Sequence, residues 1–415
     1  MHFSYTPKVD VLRQRVQTFL DTYIIPKLAD WQRETANGVY PISLIEEIKI
    51  KARAEGLWNL FLPSLKHDEP GTRLTNLEYA PLAEIMGRVS WASEVFNCNA
   101  PDTGNMELLH LFANDEQNSQ WLQPLLKGEI RSAFAMTEPG VSSSDATQIQ
   151  TKIVRDGNDY IINGRKWFIS NVAHPRCKLL IVMGKTNPDA EPHHQQSILL
   201  VPMNTPGIDV IRNIPIVNHT SPEGHCELLL RDVRIPSSCL LGTEGDGFAL
   251  AQARLGPGRV HHCMRSIGAA ELALELMTMR VQERKTFGKY LYEHGTISEW
   301  IARSRIEIEQ ARLLVLKTAW LIDQVGAKGA RKEISMIKAL VPNLHTTIFD
   351  RAMQVFGAMG ITPDTPLADH WTWGRAMRFF DGPDEIHLRV VARMELRDNK
   401  EALDRSARYL TPYTN

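Results

Sequence analysis

Over residues 1–130 apolar side chains recur at alternating three- and four-residue spacing. VDVLRQRVQTFLDTYIIPKLADW and SLIEEIKIKARAEGLWNLF each carry such a stripe, and LEYAPLAEIMGR and NMELLHLF continue it. That spacing places the apolar residues on one face of a helix, so this stretch is predicted to be helical, interrupted by a turn at HDEPGTR. From about Ala133 the period shortens to two. TKIVRDGNDYIING has the turn pair Asp156-Gly157 between two strand-like runs, and KLLIVMGK, SILLVPMN, GIDVIRNIPIV and CELLLRDVRIP follow with Pro and Gly between them. These runs predict an antiparallel or barrel-like β region of about 110 residues.

Helical spacing returns near Phe248. Ile267, Ala270, Leu274, Met277 and Val281 form one stripe. Ile297, Ile301, Ile308, Ala311, Val315 and Ile322 form another, with Gly326 as the expected stop. Further helices are expected over 331–357 and 383–396. The order predicts an α+β multidomain fold: an N-terminal helical domain over 1–131, a central β domain over 132–243 and a C-terminal helical domain over 244–415. The apolar stripes are read as core or subunit interface.

Composition adds exclusions. The 415 residues are 43% hydrophobic and 23% charged, with a formal net charge of -1. No global field favours nucleic acid or an anionic membrane, so any anionic ligand must be held by local charges. Five scattered cysteines without a CxxC argue against a disulfide framework or structural zinc and fit a reducing compartment. MHFSYTPKVD lacks the regions of a signal peptide, and no apolar run reaches the ~18 residues of a membrane span. A soluble protein of a bacterial cytoplasm or an organelle matrix is expected. GxGxxG, GxxxxGK[ST], HExxH and GxSxG motifs are all missing. His261 and His262 are adjacent, so on a helix they point about 100° apart and do not share a metal ion.

Four segments carry candidate chemistry. Phe134–Asp145, FAMTEPGVSSSD, is rich in small residues, hydroxyls and free N–H groups. It suits either close approach to a polar ring or pyrophosphate, or a plain domain-crossing loop. Arg165–Asn171, RKWFISN, places a tryptophan in a strand, as core or as the wall of an aromatic cofactor. Glu283–Lys289, ERKTFGK, ends a long helix with three cations, as a phosphate clamp or as a solvated helix end. In Arg378–His387, RFFDGPDEIH, Pro383 suits the first position of a helix. Asp381 then reads as an N-cap or as a general base. A helix N-terminus lowers a carboxyl pKa and burial raises it, and a base needs burial to win.

Together the order and spacing of these segments, with QVFGAMG at Gln354–Gly360, resemble the acyl-CoA dehydrogenase family over nearly the whole chain. NAPDTGNMELLHLF, GPGRVHHCMRSIG and DGPDEIHL resemble the branch of animal dehydrogenases fused to a kinase-like domain, associated with 4-hydroxyacyl-CoA breakdown. The resemblance implies the family's three-domain fold with a four-helix-bundle-like C-terminal domain, and FAD as cofactor. Phe134, Met136 and Thr137 would line the flavin ring, with Ser143 and Ser144 between flavin and CoA and Trp167, Phe168 and Ser170 beside the rings. Arg284, Phe287 and His294 would meet the FAD of a neighbouring subunit, Gln354, Val355 and Gly357 its adenosine end, and Pro383 and Glu385 the FAD again. Gly256, Gly258, Arg259, Gly382 and Ser144 would line the acyl-CoA site, and Asp381 would be the base.

Two departures stand out. The loop carries Val141-Ser142-Ser143-Ser144 before Asp145, one residue more than the family's commoner GAGSD. Asp381-Gly382-Pro383 stands where most members have Glu-Gly-Thr. The implied reaction is α,β-dehydrogenation to a 2-enoyl-CoA, possible for a 4-hydroxy or branched acyl chain that the shorter base accommodates. An electron-transfer flavoprotein is the expected acceptor and a homodimer or homotetramer the expected assembly. A flavin oxidase of the acyl-CoA or nitroalkane oxidase type, and a non-catalytic flavin- or CoA-binding protein, are the alternatives.

Overall fold

Thr6 and Pro7 start the first helix of the computed structural model, which describes residues 4–36, 38–399, 406, 409 and 410. The Thr6 hydroxyl accepts from the N–H of Val9, and Pro7 takes a position where no N–H is needed. Helix α1 (Pro7–Phe19) buries Val9, Leu12, Val16 and Phe19, the spacing read from sequence. Helices α2 (Ile42–Ala54), α3 (Asn76–Met86) and α4 (Asp102–Phe112) complete the first layer. Thr75 and Glu78 cap α3 reciprocally. The HDEPGTR stretch between α2 and α3 is irregular, as its composition predicts.

The β region contains β1 (Arg131–Ala135), β2 (Lys152–Asp156), β3 (Asp159–Ser170), β4 (Cys177–Lys185), β5 (Gln196–Pro202), β6 (Ile208–Asn213), β7 (His225–Pro236) and β8 (Leu240–Leu241). They form one sheet in the order β6-β7-β3-β2-β4-β5-β8, with β1 added on β4. The sheet is not wholly antiparallel: β1 runs parallel to β4 over five residue pairs. A long excursion separates the two strands, and a parallel pair needs such a connection. Strand β4 is a continuous apolar run because both faces are covered. Leu179, Ile181 and Met183 join the helical core, while Leu180 and Val182 pack in a second core with Ala133, Ile162 and Leu228.

Helices α5 (Gly247–Glu283), α6 (Gly295–Gly329), α7 (Arg331–Phe356), α8 (Leu367–Met377) and α9 (Asp384–Asp398) form the final layer. Gly326 leaves helical conformation at φ +71°, so the predicted stop is a break, although the element resumes to Gly329. Helix α9 starts at Asp384 with Pro383 as N-cap, one residue later than expected. Helices α3 and α5 cross in backbone contact. A Cβ on Gly268 would lie 1.6 Å from the Glu84 carbonyl oxygen, and one on Gly87 would lie 1.9 Å from that of Arg265. Residues 400–405, 407–408 and 411–415 of the expected C-terminal domain lie outside the described residues. Among the described residues no helix is long and apolar enough to cross a membrane.

Candidate active site

Asp381 sits in the turn between α8 and α9 with φ +55°, and Gly382 follows at φ +103°. Left-handed backbone is tolerated by Asp and natural for Gly, and here side chains hold it in place. Arg259 Nε donates to the Asp381 carbonyl at 2.8 Å, and His387 Nε2 donates to the same oxygen at 3.2 Å. Lys338 Nζ donates to Met377 O at 2.5 Å and to Gly382 O at 3.3 Å. The N-cap reading of Asp381 therefore fails: its side chain lies before the helix and turns toward α5.

The carboxylate has an unusual neighbourhood. Its Oδ2 lies 3.9 Å from where a Cβ of Gly258 would stand, so the missing side chain leaves space in front of it. His262 Nε2 lies 3.5 Å from Oδ2. Burial, and then Arg265, Lys338 and Arg254, hold the His262 pKa well below its ordinary value, so the ring is neutral. Among the described residues no Lys or Arg nitrogen lies within 4.0 Å of the Asp381 carboxylate. No hydrogen bond is made by its own N–H among them. His261 points away from His262 and packs edge-on against Phe61 and Tyr79.

Two lines of contact join this turn to the loops on the β region. Arg254 lies one turn before Gly258 on α5, and its guanidinium covers the Phe134 ring at 4.2 Å. On the other side, His262 packs on Phe380 (4.8 Å between centroids) and Phe380 on Trp373 (5.4 Å). Trp373 lies 6.1 Å from His225, whose Nδ1 is 3.0 Å from Ser170 Oγ. Burial lowers the His225 pKa to about 4.

The loop itself is anchored from beneath. Lys166 lies on the buried face of β3 and donates to Glu138 Oε1, Met136 O and Met183 O at 2.8, 2.9 and 2.7 Å. Burial lowers the Lys166 pKa to about 8, against the pull of Glu138. Thr137 Oγ1 donates to Trp167 O at 2.5 Å. Ser143 Oγ accepts from the Glu138 N–H at 2.9 Å, which ties it into the loop, whereas Ser142 and Ser144 are exposed and lie 3.0 Å apart. Phe134, Met136 and Trp167 are half-buried, and Phe168 is 44% exposed at φ +53°. This aromatic ledge with hydroxyls at its edge fits a flat heteroaromatic ring with a polar rim.

The remaining expected residues lie elsewhere. Arg284 is roughly 37 Å from Arg259 along α5, at 1.5 Å per residue. Phe287, at φ +49° and 95% exposed, forms the tip of the hairpin that follows. His294 caps α6, and its Nε2 is buried without a partner. Gln354 and Gly357 are exposed at the end of α7, beside buried Val355. These are not brought to the Asp381 turn of the same chain. Glu385 is exposed next to the half-buried Pro383. Gly256 packs toward Ala327, 3.0 Å from its would-be Cβ, rather than toward Asp381.

Sequence reasoning missed Arg254, Glu107, Lys338, His387 and the role of His262. Glu107 lies one turn beyond Gly104 on α4, and the Arg254 side chain packs on Gly104. Burial raises the Glu107 pKa to about 8, opposed by Arg254, and Oε2 has no partner. Arg254 Nε donates to Asn105 Oδ1 at 2.7 Å.

Comparison with known proteins bears on the family and the fold. Family models for the acyl-CoA dehydrogenase N-terminal, middle and C-terminal domains match residues 6–129, 133–233 and 245–396. The chain is 54% identical to the Mycobacterium tuberculosis protein FadE2, named for acyl-CoA dehydrogenase activity, over 96% of this chain and 98% of that one. It is 52% identical to acyl-CoA dehydrogenase family member 10 of Mus musculus, covering 95% of this chain but 37% of the mouse protein. A Mycobacterium abscessus structure described as an acyl-CoA dehydrogenase superposes with TM-score 0.90 at 47% identity, covering 95% and 100% of the two chains. PigA, solved with FAD and proline, superposes with TM-score 0.84 at 25% identity, covering 96% and 100%. With all three domain models matched in order along one chain, the protein belongs to the acyl-CoA dehydrogenase family.

Proposed function

We propose that the protein oxidises an acyl-CoA to its 2-enoyl-CoA, with Asp381 as the base for the α-proton. One observation carries this reading. Arg259 and Lys338 lie beside the Asp381 turn, yet both bond peptide carbonyls and leave the carboxylate without a cationic partner. A salt-bridged carboxylate is a poor base, and a clamped but unpaired one beside an open space is a good one. The free N–H of Asp381 is a candidate donor to the thioester oxygen as charge develops there.

FAD, when bound, supplies the acceptor for the β-hydride. Thr137, Trp167, Phe168 and Ser170 are the residues that would hold its ring, and Phe134 and Met136 would close the apolar side. Arg284, Phe287, His294, Gln354, Val355 and Gly357 would hold the FAD of a second copy, since they lie far from the Asp381 turn of their own chain. An electron-transfer flavoprotein is the proposed acceptor of the electrons.

The acyl chain in this reading carries a hydroxyl on its fourth carbon or is branched. The hydroxylated form is supported by two buried polar groups, Arg254 one turn before Gly258 and Glu107, whose Oε2 has no partner, for which a plain hydrocarbon chain offers no hydrogen bond. The test is anaerobic flavin bleaching with straight-chain butyryl- to octanoyl-CoA, branched acyl-CoA and 4-hydroxyacyl-CoA. Asp381→Asn is expected to keep FAD and lose about 10²–10⁴-fold in reduction rate. Near-normal reduction would move the base elsewhere, with Glu385 tested next because Asp384 is already bonded to Arg378 and Asn343. A preference for straight chains would overturn the substituent.

A further inference from the structure

We infer that His262 is a positioning residue for the reaction: a neutral, fixed N–H donor that orients the short Asp381 carboxylate toward the space left by Gly258. The inference rests on Asp381 being the base.

The tautomer follows from the neighbour on the other side of the ring. Arg265 Nη2 lies 3.0 Å from His262 Nδ1, and a guanidinium only donates. Nδ1 is therefore the acceptor, and the ring proton is on Nε2, facing Asp381. Arg265 is itself held: Nη1 donates to Cys98 O at 3.3 Å, and its backbone is where Gly87 permits the α3–α5 crossing. The ring is steadied by Phe380 on its face. At 3.5 Å the contact to Oδ2 is longer than a hydrogen bond, and a shift of about 0.5 Å would bring it to ordinary length.

The surrounding charges explain why a histidine serves here. Arg254, Arg259 and Arg265 on α5, Lys338 on α7 and His387 on α9 all face this corner. A full cation bonded to the carboxylate would quench its basicity. A neutral donor restrains its direction with a weaker effect on its proton affinity. An aspartate is one methylene shorter than a glutamate, so its oxygen has less freedom to find the α-proton, and its direction matters correspondingly more.

The experiment compares His262→Gln, which keeps an N–H donor, with His262→Met, similar in size without one. Both are assayed as FAD-loaded protein by anaerobic stopped-flow reduction from pH 6 to 9, with Asp381→Asn alongside. His262→Met is expected to bind acyl-CoA within about threefold of the native protein and to reduce flavin about 10–100-fold more slowly. Its rate–pH midpoint should move upward, because a lost donor disfavours the charged carboxylate. His262→Gln should recover most of the rate and of the midpoint. Equal behaviour of the Gln and Met variants overturns the inference, as does a native rate and midpoint in His262→Met. In either case an inactive Asp381→Asn leaves the base reading standing, whereas an active one removes that reading itself.

Discussion

Glu107→Gln is expected to lower stability modestly at acid pH and to make it fall less steeply than that of the native protein as pH rises. The native carboxyl is buried in α4, one oxygen has no partner, and burial lifts its pKa from the ordinary 4.5 to about 8. The Arg254 charge opposes the rise but no ion pair forms between them within 4.0 Å. Between these two pH values the folded chain keeps a proton that the unfolded chain gives up. The stability contributed by the neutral acid is therefore fully present below about pH 4.5 and is lost as pH rises through about 8. At 1.36 kcal/mol per pH unit the whole interval corresponds to roughly 5 kcal/mol. A glutamine has nearly the same shape and cannot ionise, so it escapes this loss. Its amide needs partners of its own, which sets a cost of about 1–3 kcal/mol that is the same at every pH. The assay is thermal unfolding of FAD-loaded native and variant protein at constant ionic strength from pH 5 to pH 9. The native melting temperature should fall more steeply with pH than that of the variant, the two curves diverging by several degrees above pH 7. Other titrating groups act on both proteins alike and drop out of the difference. Parallel curves would refute the reasoning and would mean that Glu107 is ionised in the fold.

Lys166→Met removes the cation under the Phe134–Asp145 loop and leaves Glu138 buried without it. It should cost about 3–5 kcal/mol in urea unfolding and weaken FAD retention, and native stability would refute the anchor. Gly268→Ala forces α3 and α5 apart at the point where a Cβ meets the Glu84 backbone. It should cost about 3 kcal/mol or more and shift Arg265 with it, whereas Gly295→Ala, with no neighbour within 4 Å, should melt within a few degrees of native.

The elements legible in the sequence are those set by local period. The stripes of α1 and α5 bury the residues their spacing selects, that of α6 buries Ile308, Ala311, Val315 and Ile322 but leaves Ile297 and Ile301 half-buried, and the continuous apolar run of β4 reports a strand covered on both faces. The parallel placement of β1 was not legible, because pairing between strands so far apart in sequence leaves no local trace. The candidate site divides in the same way. Asp381 and the Phe134–Asp145 loop stand out because Gly, Pro and charge interrupt the pattern there, whereas Arg259 enters only through the family resemblance. Arg254, His262 and Lys338 are hidden because they lie inside helices that read as core. A usable signal existed: Arg254 sits among Leu250, Ala251 and Leu255, and Lys338 among Ile334, Ile337 and Val341. A cation on an apolar face must find a partner, but only the packed structure shows which one.

That partner is a peptide carbonyl for both Lys338 and Arg259, and in the proposed reading this leaves the Asp381 carboxylate free to serve as the base. Had either cation bonded the carboxylate, the pair would have been a stable ion bridge and a weak base. By holding the backbone they fix a left-handed Asp-Gly turn without neutralising the side chain, and the glycine at 258 keeps the space before it open. In the proposed reading the exchange of glutamate for aspartate shortens the reach of the base, while Arg254 lies one turn before Gly258 on α5 and packs on Gly104 of α4, one turn from Glu107. In the proposed reading, a shorter base and buried polar groups on α5 and α4 together favour an acyl chain that carries oxygen beyond its reacting carbons over one that is plain hydrocarbon.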